Sequence, residues 1–393
     1  MVARMNPHAL VLAAPAPVID TAGRLRLDTK FVEGMRLHAA HWPGEVRVLL
    51  RRGAPAIPFG ADHDPDSLGF RLSVLDPGQA PPPALWHGAQ ALFAAADDLE
   101  ALALIPAARA AGARVVLALE YTLETRLRIA ALDPARGWAR RLWSMGWNLR
   151  HEPRRRAALA GADGVQFNGW PAHDAYARLT RDPLLYLDNR MTAAMMATPS
   201  DMADRAARLG AGAPLRLIHS GRLEPLKGTQ DLLPVMAALD ALGVPATLDI
   251  YGAGSLEPAI RAGLGAFGGR VRLHGPVDFA SQLVPATRRG ADVFLSCHRQ
   301  SDPSCTYLEA LGCGVAVAGY ANRMWARLAD LSGGGVVAPL GRPRALAAAI
   351  AGWHADRAGL VAAQAAGLAF ARAHDFETEF AARMAHLRRI AGV

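Results

Sequence analysis

The fold is decided by the stretch HSGRLEPLKG, residues 219–228. It follows a short apolar run that predicts a strand, turns at Gly221, and leads into a run compatible with a helix. Arg222 and Lys227 lie on the connecting loop, and Lys227 is one of only two lysines in an arginine-rich chain. Two cations at the carboxyl end of a strand, beside the start of a helix, suit a diphosphate. The alternative is a pair of solvated surface cations.

A second stretch, DPSCTYLEA at 302–310, follows another predicted strand. Asp302 or Ser304 can cap the helix that begins there. The backbone amides of residues 305–307 would then point out of the helix N-terminus and form an anion site. Glu309, about one turn into the helix, can accept two hydroxyl hydrogen bonds, as a ribose diol would require. Its alternative role is that of an ordinary capping carboxylate.

Short apolar runs alternate with longer helical patterns in both halves of the chain, which is typical of parallel sheets built from βαβ units. The predicted strands are 9–14, 46–50, 91–95, 115–120 and 164–168 in the first half, and 215–220, 246–251, 271–274, 293–296 and 315–318 in the second. Two doubly wound α/β domains in series bind ligands in a crevice between them.

The domain boundaries follow from a seam near residues 195–214. We expect one domain over 1–198 and a second over 199–375. The last segment, 376–393, carries apolar residues at helical spacing and is expected to pack back on the first domain.

Five motifs of the second half resemble family 4 retaining glycosyltransferases (glycosyl transferases group 1). They are SGRLEPLKG at 220–228, IYGAG at 250–254, VRLHGPV at 271–277, ADVFLS at 291–296 and YLEALGCGV at 307–315. They occur in the family's order over roughly residues 214–350. The resemblance implies the GT-B fold, in which two Rossmann-like domains face a cleft, the first binding the acceptor and the second binding the nucleotide sugar.

The resemblance also implies a role for individual residues. Arg222 and Lys227 would hold the donor diphosphate and stabilise it as it leaves, and Glu309 would hold the ribose. The residues expected to line the donor site are Gly221, Gly275, Pro276, Val277, Ser301, Asp302, Thr306, Tyr307, Leu308 and Glu309. Gly275, Pro276 and Val277 would line the base pocket, and the amides of Thr306 and Tyr307 would meet the distal phosphate.

One position departs from the family pattern. Eight residues before Glu309, where the family usually has a glutamate that touches the donor sugar, this chain has Ser301. Either Asp302 or His298 substitutes for that glutamate, or the donor sugar is unusual.

The first half resembles the family only in its strand pattern. Where many relatives carry a His-Asp pair, this chain has Glu120 at the carboxyl end of a predicted strand. Glu120 is our candidate for orienting the acceptor hydroxyl or steadying positive charge on the donor sugar, and its alternative is a structural carboxylate. Asp188-Asn189-Arg190 stands where relatives have an Asn-Gly turn. The loop at 20–24 is expected to approach the donor or the acceptor, with Lys30 at the start of the next helix.

Most of the excess positive charge of the chain lies in one segment. The net charge is +8, and residues 136–156 hold seven arginines against the single carboxylate of Glu152. A helix there would group its apolar residues on one side, with arginine and small polar residues opposite. The residues that we assign to acceptor or membrane contact are Trp138, Arg140, Arg141, Trp143 and Trp147. Tryptophan and arginine together favour an in-plane helix on an anionic membrane.

The alternative for this helix is that its apolar face packs on the core of its own domain. A nucleic-acid partner is not expected, because the basic stretch is short and no binding signature accompanies it.

Several other classes are disfavoured. The three cysteines show no disulfide or zinc pattern, which favours a reducing compartment. No apolar run is long enough for a membrane span, and the run at 9–19, interrupted by two prolines, predicts a strand rather than a signal peptide. GAGSLE at 252–257 lacks the third glycine of a dinucleotide fingerprint. We expect no metal and no cofactor beyond the nucleotide-sugar substrate.

The sequence therefore predicts a metal-independent, retaining glycosyltransferase with a UDP- or GDP-sugar donor and a membrane-associated acceptor, such as a glycolipid, a diacylglycerol-type lipid or a lipid-linked saccharide. It would lie in the cytoplasm, peripherally bound to the inner face of the plasma membrane. The alternatives are a nucleotide-sugar epimerase of GT-B fold and an inactive nucleotide-sugar-binding protein.

Overall fold

The computed structural model describes residues 8–21, 23–53, 57, 60–133, 136–301 and 303–393. Its strands and helices alternate along the chain and form two separate sheets with parallel cores. The predicted α/β class, with two doubly wound domains, is confirmed. Asp302 lies outside the described residues.

Nine strands of the described chain form the first sheet: β1 (Ala9–Thr21), β2 (Arg24–Asp28), β3 (Val46–Arg52), β4 (Gly60–His63), β5 (Arg71–Leu75), β6 (Ala89–Ala95), β7 (Arg114–Leu119), β8 (Gly164–Asn168) and β9 (Pro183–Tyr186). Strands β5, β3, β1, β6, β7, β8 and β9 lie side by side and parallel in that order. The strand order reverses between β1 and β6. The five strands predicted for this half are confirmed, whereas β2, β4, β5 and β9 were not predicted.

The first strand runs further than the sequence suggested. β1 shifts register between Ala13 and Pro17, because the prolines in this stretch cannot donate to the ladder. The strand then continues and pairs antiparallel with β2. The segment 20–24, predicted as a loop, therefore includes the ends of these two paired strands. The next helix begins only at Thr29, with Lys30 in its first turn.

Among the described residues, six helices connect the strands of the first half, and the last helix of the chain packs against the same sheet. They are α1 (Thr29–His41), α2 (Leu99–Leu102), α3 (Ile105–Ala110), α4 (Leu123–Leu132), α5 (Trp138–Gly161) and α6 (Trp170–Tyr176).

The second sheet has six strands, all parallel: β10 (Leu215–Ser220), β11 (Ala246–Tyr251), β12 (Val271–Gly275), β13 (Val293–Ser296), β14 (Ala316–Tyr320) and β15 (Gly335–Ala338). Their order is β12-β11-β10-β13-β14-β15, so the order reverses between β10 and β13. The five strands predicted for this half are confirmed. Strands such as β14 are buried along their whole length, as expected for a parallel sheet covered on both faces.

The helices around the second sheet are α7 (Pro199–Gly210), α8 (Leu232–Ala241), α9 (Glu257–Gly263), α10 (Val284–Gly290), α11 (Cys305–Gly312), α12 (Arg323–Ser332), α13 (Pro343–Ala355) and α14 (Arg357–Ala373). The last helix, α15 (Phe376–Ala391), contacts strands β6 to β9 of the first sheet. Its Phe380, Met384 and Leu387 are buried in the same core cluster as Leu10 of β1.

The fold places two loops at the point where the second sheet reverses its strand order. One follows β10 and the other follows β13. In open parallel sheets, ligands bind at the carboxyl ends of the strands at such a reversal. Helix α4 of the first half contacts the turn Pro225–Lys227 in the loop after β10, which brings the first half against this site.

Candidate active site

The loop after β10, residues 221–228, is held by the loop after β11. The amide of Leu223 donates to the carbonyl of Ala253 (2.9 Å). The carboxylate of Glu224 accepts a hydrogen bond from the amide of Ser255 (2.9 Å). Both loops therefore form one rigid unit at the carboxyl edge of the sheet, which gives the cations on it fixed positions.

Gly228, at the other end of this loop, packs closely against the segment that follows β13. Its φ is +67°, and a Cβ atom there would lie 1.7 Å from the carbonyl oxygen of Cys297. Only glycine fits such a close approach of two backbones. The preceding Lys227 ends a short 3-10 turn and is half-buried, whereas Arg222 is exposed and forms no ion pair with any described residue. The two cations thus stand on a loop pressed against the segment that follows β13.

The N-terminus of α11 lies on that segment. Ser304 occupies the N-cap position, but its hydroxyl pairs with the hydroxyl of Thr306 (2.8 Å) instead of capping the helix. The amide of Tyr307 donates to the Ser304 carbonyl (3.3 Å), so the expectation of three free amides is corrected to two. The amides of Cys305 and Thr306 have no acceptor among the described residues. They remain available to an anion.

Glu309 is buried, with 6 % of its surface exposed, and it already has a partner. The Nε of Arg190 lies 2.7 Å from one of its carboxylate oxygens. The Arg190 guanidinium also stacks over the ring of Phe279, 3.7 Å from the ring centre. From the sequence, Arg190 was identified only as part of Asp188-Asn189-Arg190, which stands where relatives have an Asn-Gly turn. The ion pair across the cleft was not predicted.

The proposed base-pocket residues lie beside the same loop. Gly275 ends β12 with a φ of +75°, and its carbonyl accepts from the amide of Gly252 (2.8 Å). Pro276 is exposed and Val277 is half-buried. These residues are therefore placed at the carboxyl edge, next to the loop that carries Arg222.

Three of the predicted donor residues have side chains engaged elsewhere. The Tyr307 hydroxyl accepts from Asn322 (2.9 Å), and Leu308 is buried in the hydrophobic core. The Ser301 hydroxyl accepts from the amide of Arg323 (3.2 Å), at the start of α12. Tyr307 and Leu308 can thus offer a ligand only backbone groups.

Glu120 follows β7 on the facing side of the cleft. Its amide donates to the carboxylate of Asp97 (2.8 Å), which also pairs with Arg126 of α4 (2.8 Å). Burial raises the pKa of Asp97, and the hydrogen bonds and Arg126 oppose that rise. Arg128 of α4 donates to the carbonyl of Arg299 (2.8 Å), which ties this side to the segment after β13. Asp97 was not identified from the sequence, although it stands at the carboxyl end of a predicted strand.

The ion network extends from Asp97 into α5. Arg126 also pairs with Glu152 (2.8 Å), which in turn accepts from the Tyr176 hydroxyl (2.7 Å) and contacts Arg155 (3.3 Å). Arg155 is completely buried and donates to a backbone carbonyl after β6. The inward face of α5 is therefore polar, with its charges paired.

The apolar face of α5 points outward. Trp138 is 77 % exposed and Trp143 is 67 % exposed, and Leu142, Trp147 and Leu149 are exposed beside them. Arg140 is exposed as well, and Arg141 donates to the carbonyl of Asp133 (3.0 Å). The alternative that this apolar face packs on its own domain core is wrong, because the polar network fills that side. No helix in the described part of the chain has the length and apolar character needed to cross a membrane.

Residues 214–356 match the family described as glycosyl transferases group 1. A search of curated protein sequences found no match.

Solved structures resemble the chain over nearly its whole length. They include sucrose-phosphate synthase from Thermosynechococcus elongatus (18 % identity, 97 % of this chain and 98 % of that one, TM-score 0.66). HepE from Anabaena in complex with UDP-glucose is 16 % identical over 97 % of this chain and 98 % of that one, with a TM-score of 0.64. WaaG, a glycosyltransferase involved in lipopolysaccharide biosynthesis, is 14 % identical over 98 % and 100 %, with a TM-score of 0.61. At these identities the likeness establishes the fold. The chain therefore has the GT-B fold, and residues 214–356 within it match the glycosyl transferases group 1 family.

Proposed function

We propose that the protein transfers a sugar from a UDP- or GDP-sugar to an acceptor at a membrane surface, with retention of the anomeric configuration and without a metal ion. The observation that carries the proposal is the convergence of two anion-binding elements at the strand reversal of the second sheet. One is the loop with Arg222 and Lys227, and the other is the N-terminus of α11 with two amides that have no acceptor among the described residues.

The chemistry follows from this arrangement. Breaking the bond between the sugar and the diphosphate leaves negative charge on the departing phosphate. Cations and amide dipoles that are already aimed at that position stabilise the charge without having to reorganise. The half-buried setting of Lys227 strengthens the interaction relative to bulk water. HepE has been crystallised with UDP and with UDP-glucose, which supports a nucleotide-sugar donor for this chain.

Glu120 is our candidate on the acceptor side. Its backbone is fixed by Asp97, and helix α4, which starts three residues later, contacts the turn that ends at Lys227. A carboxylate at this point would orient an acceptor hydroxyl or steady positive charge on the sugar. Closure of the cleft would exclude water and protect the donor from hydrolysis.

The acceptor is proposed to be lipid-borne because of α5. An outward face of tryptophan and leucine, flanked by exposed arginines, suits the interface of an anionic membrane. We place the protein at the inner face of the plasma membrane on this basis. WaaG, a structure of the same fold, is involved in lipopolysaccharide biosynthesis.

A panel of nucleotide sugars tests the proposal against its alternatives. The purified protein is incubated with each donor, with and without lipid acceptors in vesicles, and the products are followed by NMR. Sugar transfer that releases nucleotide only when acceptor is present is the expected result, and an α-linked product from an α-linked donor shows retention. An epimerised donor would indicate an epimerase, and saturable binding without turnover would indicate an inactive binding protein.

A further inference from the structure

The segment that follows β13 carries His298 and Gln300, which neither the ion network nor the diphosphate site uses. This segment lies directly against the loop with Lys227. Gly228 approaches the carbonyl of Cys297 so closely that no Cβ would fit, and the amide of Arg299 donates to the carbonyl of Leu226 (3.2 Å). His298 is therefore fixed in position beside the expected diphosphate.

Both side chains are buried and lack hydrogen-bond partners. His298 is 1 % exposed and Gln300 is 2 % exposed. Both ring nitrogens of His298, and the Oε1 of Gln300, make no hydrogen bond to any described residue. An unsatisfied buried polar group is destabilising, so most such groups in native proteins have a partner. Arg299 Nε is unsatisfied as well, so this short segment carries four such atoms, which indicates a ligand that supplies missing hydrogen bonds.

Ser301, at the position where the family usually has a glutamate, does not provide such unsatisfied groups here. The Ser301 hydroxyl is already taken by the amide of Arg323. Unsatisfied atoms belong instead to His298, three residues before Ser301, and to Gln300, one residue before it.

The chemistry of the two side chains defines what they can bind. Burial and the nearby Lys227 lower the pKa of His298 well below its usual value, so the imidazole is neutral. A neutral imidazole offers one donor and one acceptor, and the side-chain amide of Gln300 offers one acceptor oxygen and two donor hydrogens. Sugar hydroxyls both donate and accept, so they fit this mixed set of donors and acceptors.

We propose that His298 and Gln300 bind hydroxyl groups of the donor sugar. This inference rests on the nucleotide-sugar donor proposed above. The two residues would determine specificity at the place where the chain lacks the usual glutamate.

Two apolar substitutions of similar size, His298→Phe and Gln300→Met, test the inference. Calorimetry measures the Kd of the nucleotide diphosphates UDP and GDP and of the intact UDP-glucose and GDP-mannose. We expect each variant to bind the intact nucleotide sugar at least tenfold more weakly than the wild type, while its affinity for the nucleotide diphosphate changes less than twofold. Thermal unfolding of both variants verifies that they fold. If His298→Phe does not fold, Gln300→Met alone tests the inference.

The outcomes separate this inference from the proposed function. If the wild type binds neither UDP nor GDP, the proposed function fails. If the wild type binds them and both variants bind the nucleotide sugar as well as it does, the residues are core groups and the inference is overturned. Equal weakening of nucleotide and nucleotide-sugar binding would also overturn it, because the effect would then arise in the phosphate loop.

Discussion

Arg190 and Glu309 meet across the cleft, with the guanidinium Nε 2.7 Å from the carboxylate, although they lie 119 residues apart in the chain. Glu309 is the residue expected to hold the donor ribose. Its carboxylate has two oxygens, and one of them is occupied by Arg190. A ribose that binds both oxygens therefore competes with the arginine for the carboxylate.

Replacing Arg190 with glutamine should therefore tighten nucleotide binding. The partly exposed ion pair contributes about 1 kcal/mol, so we expect the Kd for UDP or GDP to fall by roughly threefold to tenfold. Calorimetric titration measures this change. Arg323→Gln removes another arginine that pairs across the halves, with Glu124, and serves as the matched control with unchanged affinity. Weaker binding by Arg190→Gln would show that the arginine holds the nucleotide itself.

Glu152→Gln should destabilise the first domain. The carboxylate neutralises Arg126 and the completely buried Arg155, and removing one charge from a buried network leaves the others uncompensated. Such losses amount to about 3–5 kcal/mol. Urea unfolding followed by circular dichroism gives the free energy of unfolding. Arg154→Gln, on the exposed side of the same helix, should change it by less than about 0.5 kcal/mol. A similar small effect for Glu152→Gln would contradict the importance of the network.

Stability should fall as the pH is lowered from about 6.5 towards 4. Burial lowers the pKa of both His38 and His219 to about 4. In this range the unfolded chain binds protons that the folded chain does not, so protonation favours unfolding. Each histidine should account for about 2 kcal/mol of lost stability at pH 5 relative to pH 7.

His219→Gln tests how much of this pH-dependent loss of stability comes from one histidine. Glutamine can still donate to the Leu295 carbonyl that His219 contacts, but it does not titrate. The difference in the free energy of unfolding between pH 7 and pH 5 should shrink by about 2 kcal/mol in this variant. An unchanged difference would show that the pKa of His219 is not lowered in the folded protein.

The outward face of α5 should bind anionic vesicles. We expect Trp138→Ser combined with Trp143→Ser to reduce sedimentation with phosphatidylglycerol vesicles by at least about tenfold, since two large apolar side chains no longer enter the interface. Leu242→Ser removes an exposed leucine elsewhere and is the control. Binding of the wild type should be weaker with neutral phosphatidylcholine vesicles. Equal binding to both vesicle types would contradict the role of the arginines.

The sequence was sufficient to predict the parts of the fold that depend on local pattern. The alternation of apolar runs and helices located ten strands, and the motif around Arg222 and Lys227 lies at the strand reversal, as a phosphate loop requires. The hairpin of β1 and β2 was missed because two prolines in β1 suggested an end to the strand. Proline instead produced a bulge, after which the strand continued.

Contacts between distant segments could not be predicted. The pairing of Arg190 with Glu309 depends on how the two halves face each other, which no local pattern encodes. The outward face of α5 was one of two possibilities, since a helical wheel gives the apolar face and not the direction in which it points. The buried partners of Glu152 decide that direction.

The most direct test of the central claim compares the two lysines of the chain. Lys227→Ala removes the half-buried cation beside α11, and Lys30→Ala removes the exposed one in α1. With the donor and acceptor identified by the panel, steady-state kinetics should give a turnover number for Lys227→Ala about 10²–10³ lower than for the wild type, because the leaving diphosphate loses a pre-aimed cation. Lys30→Ala should retain the wild-type rate. Sugar transfer by Lys227→Ala at the wild-type rate would contradict the account.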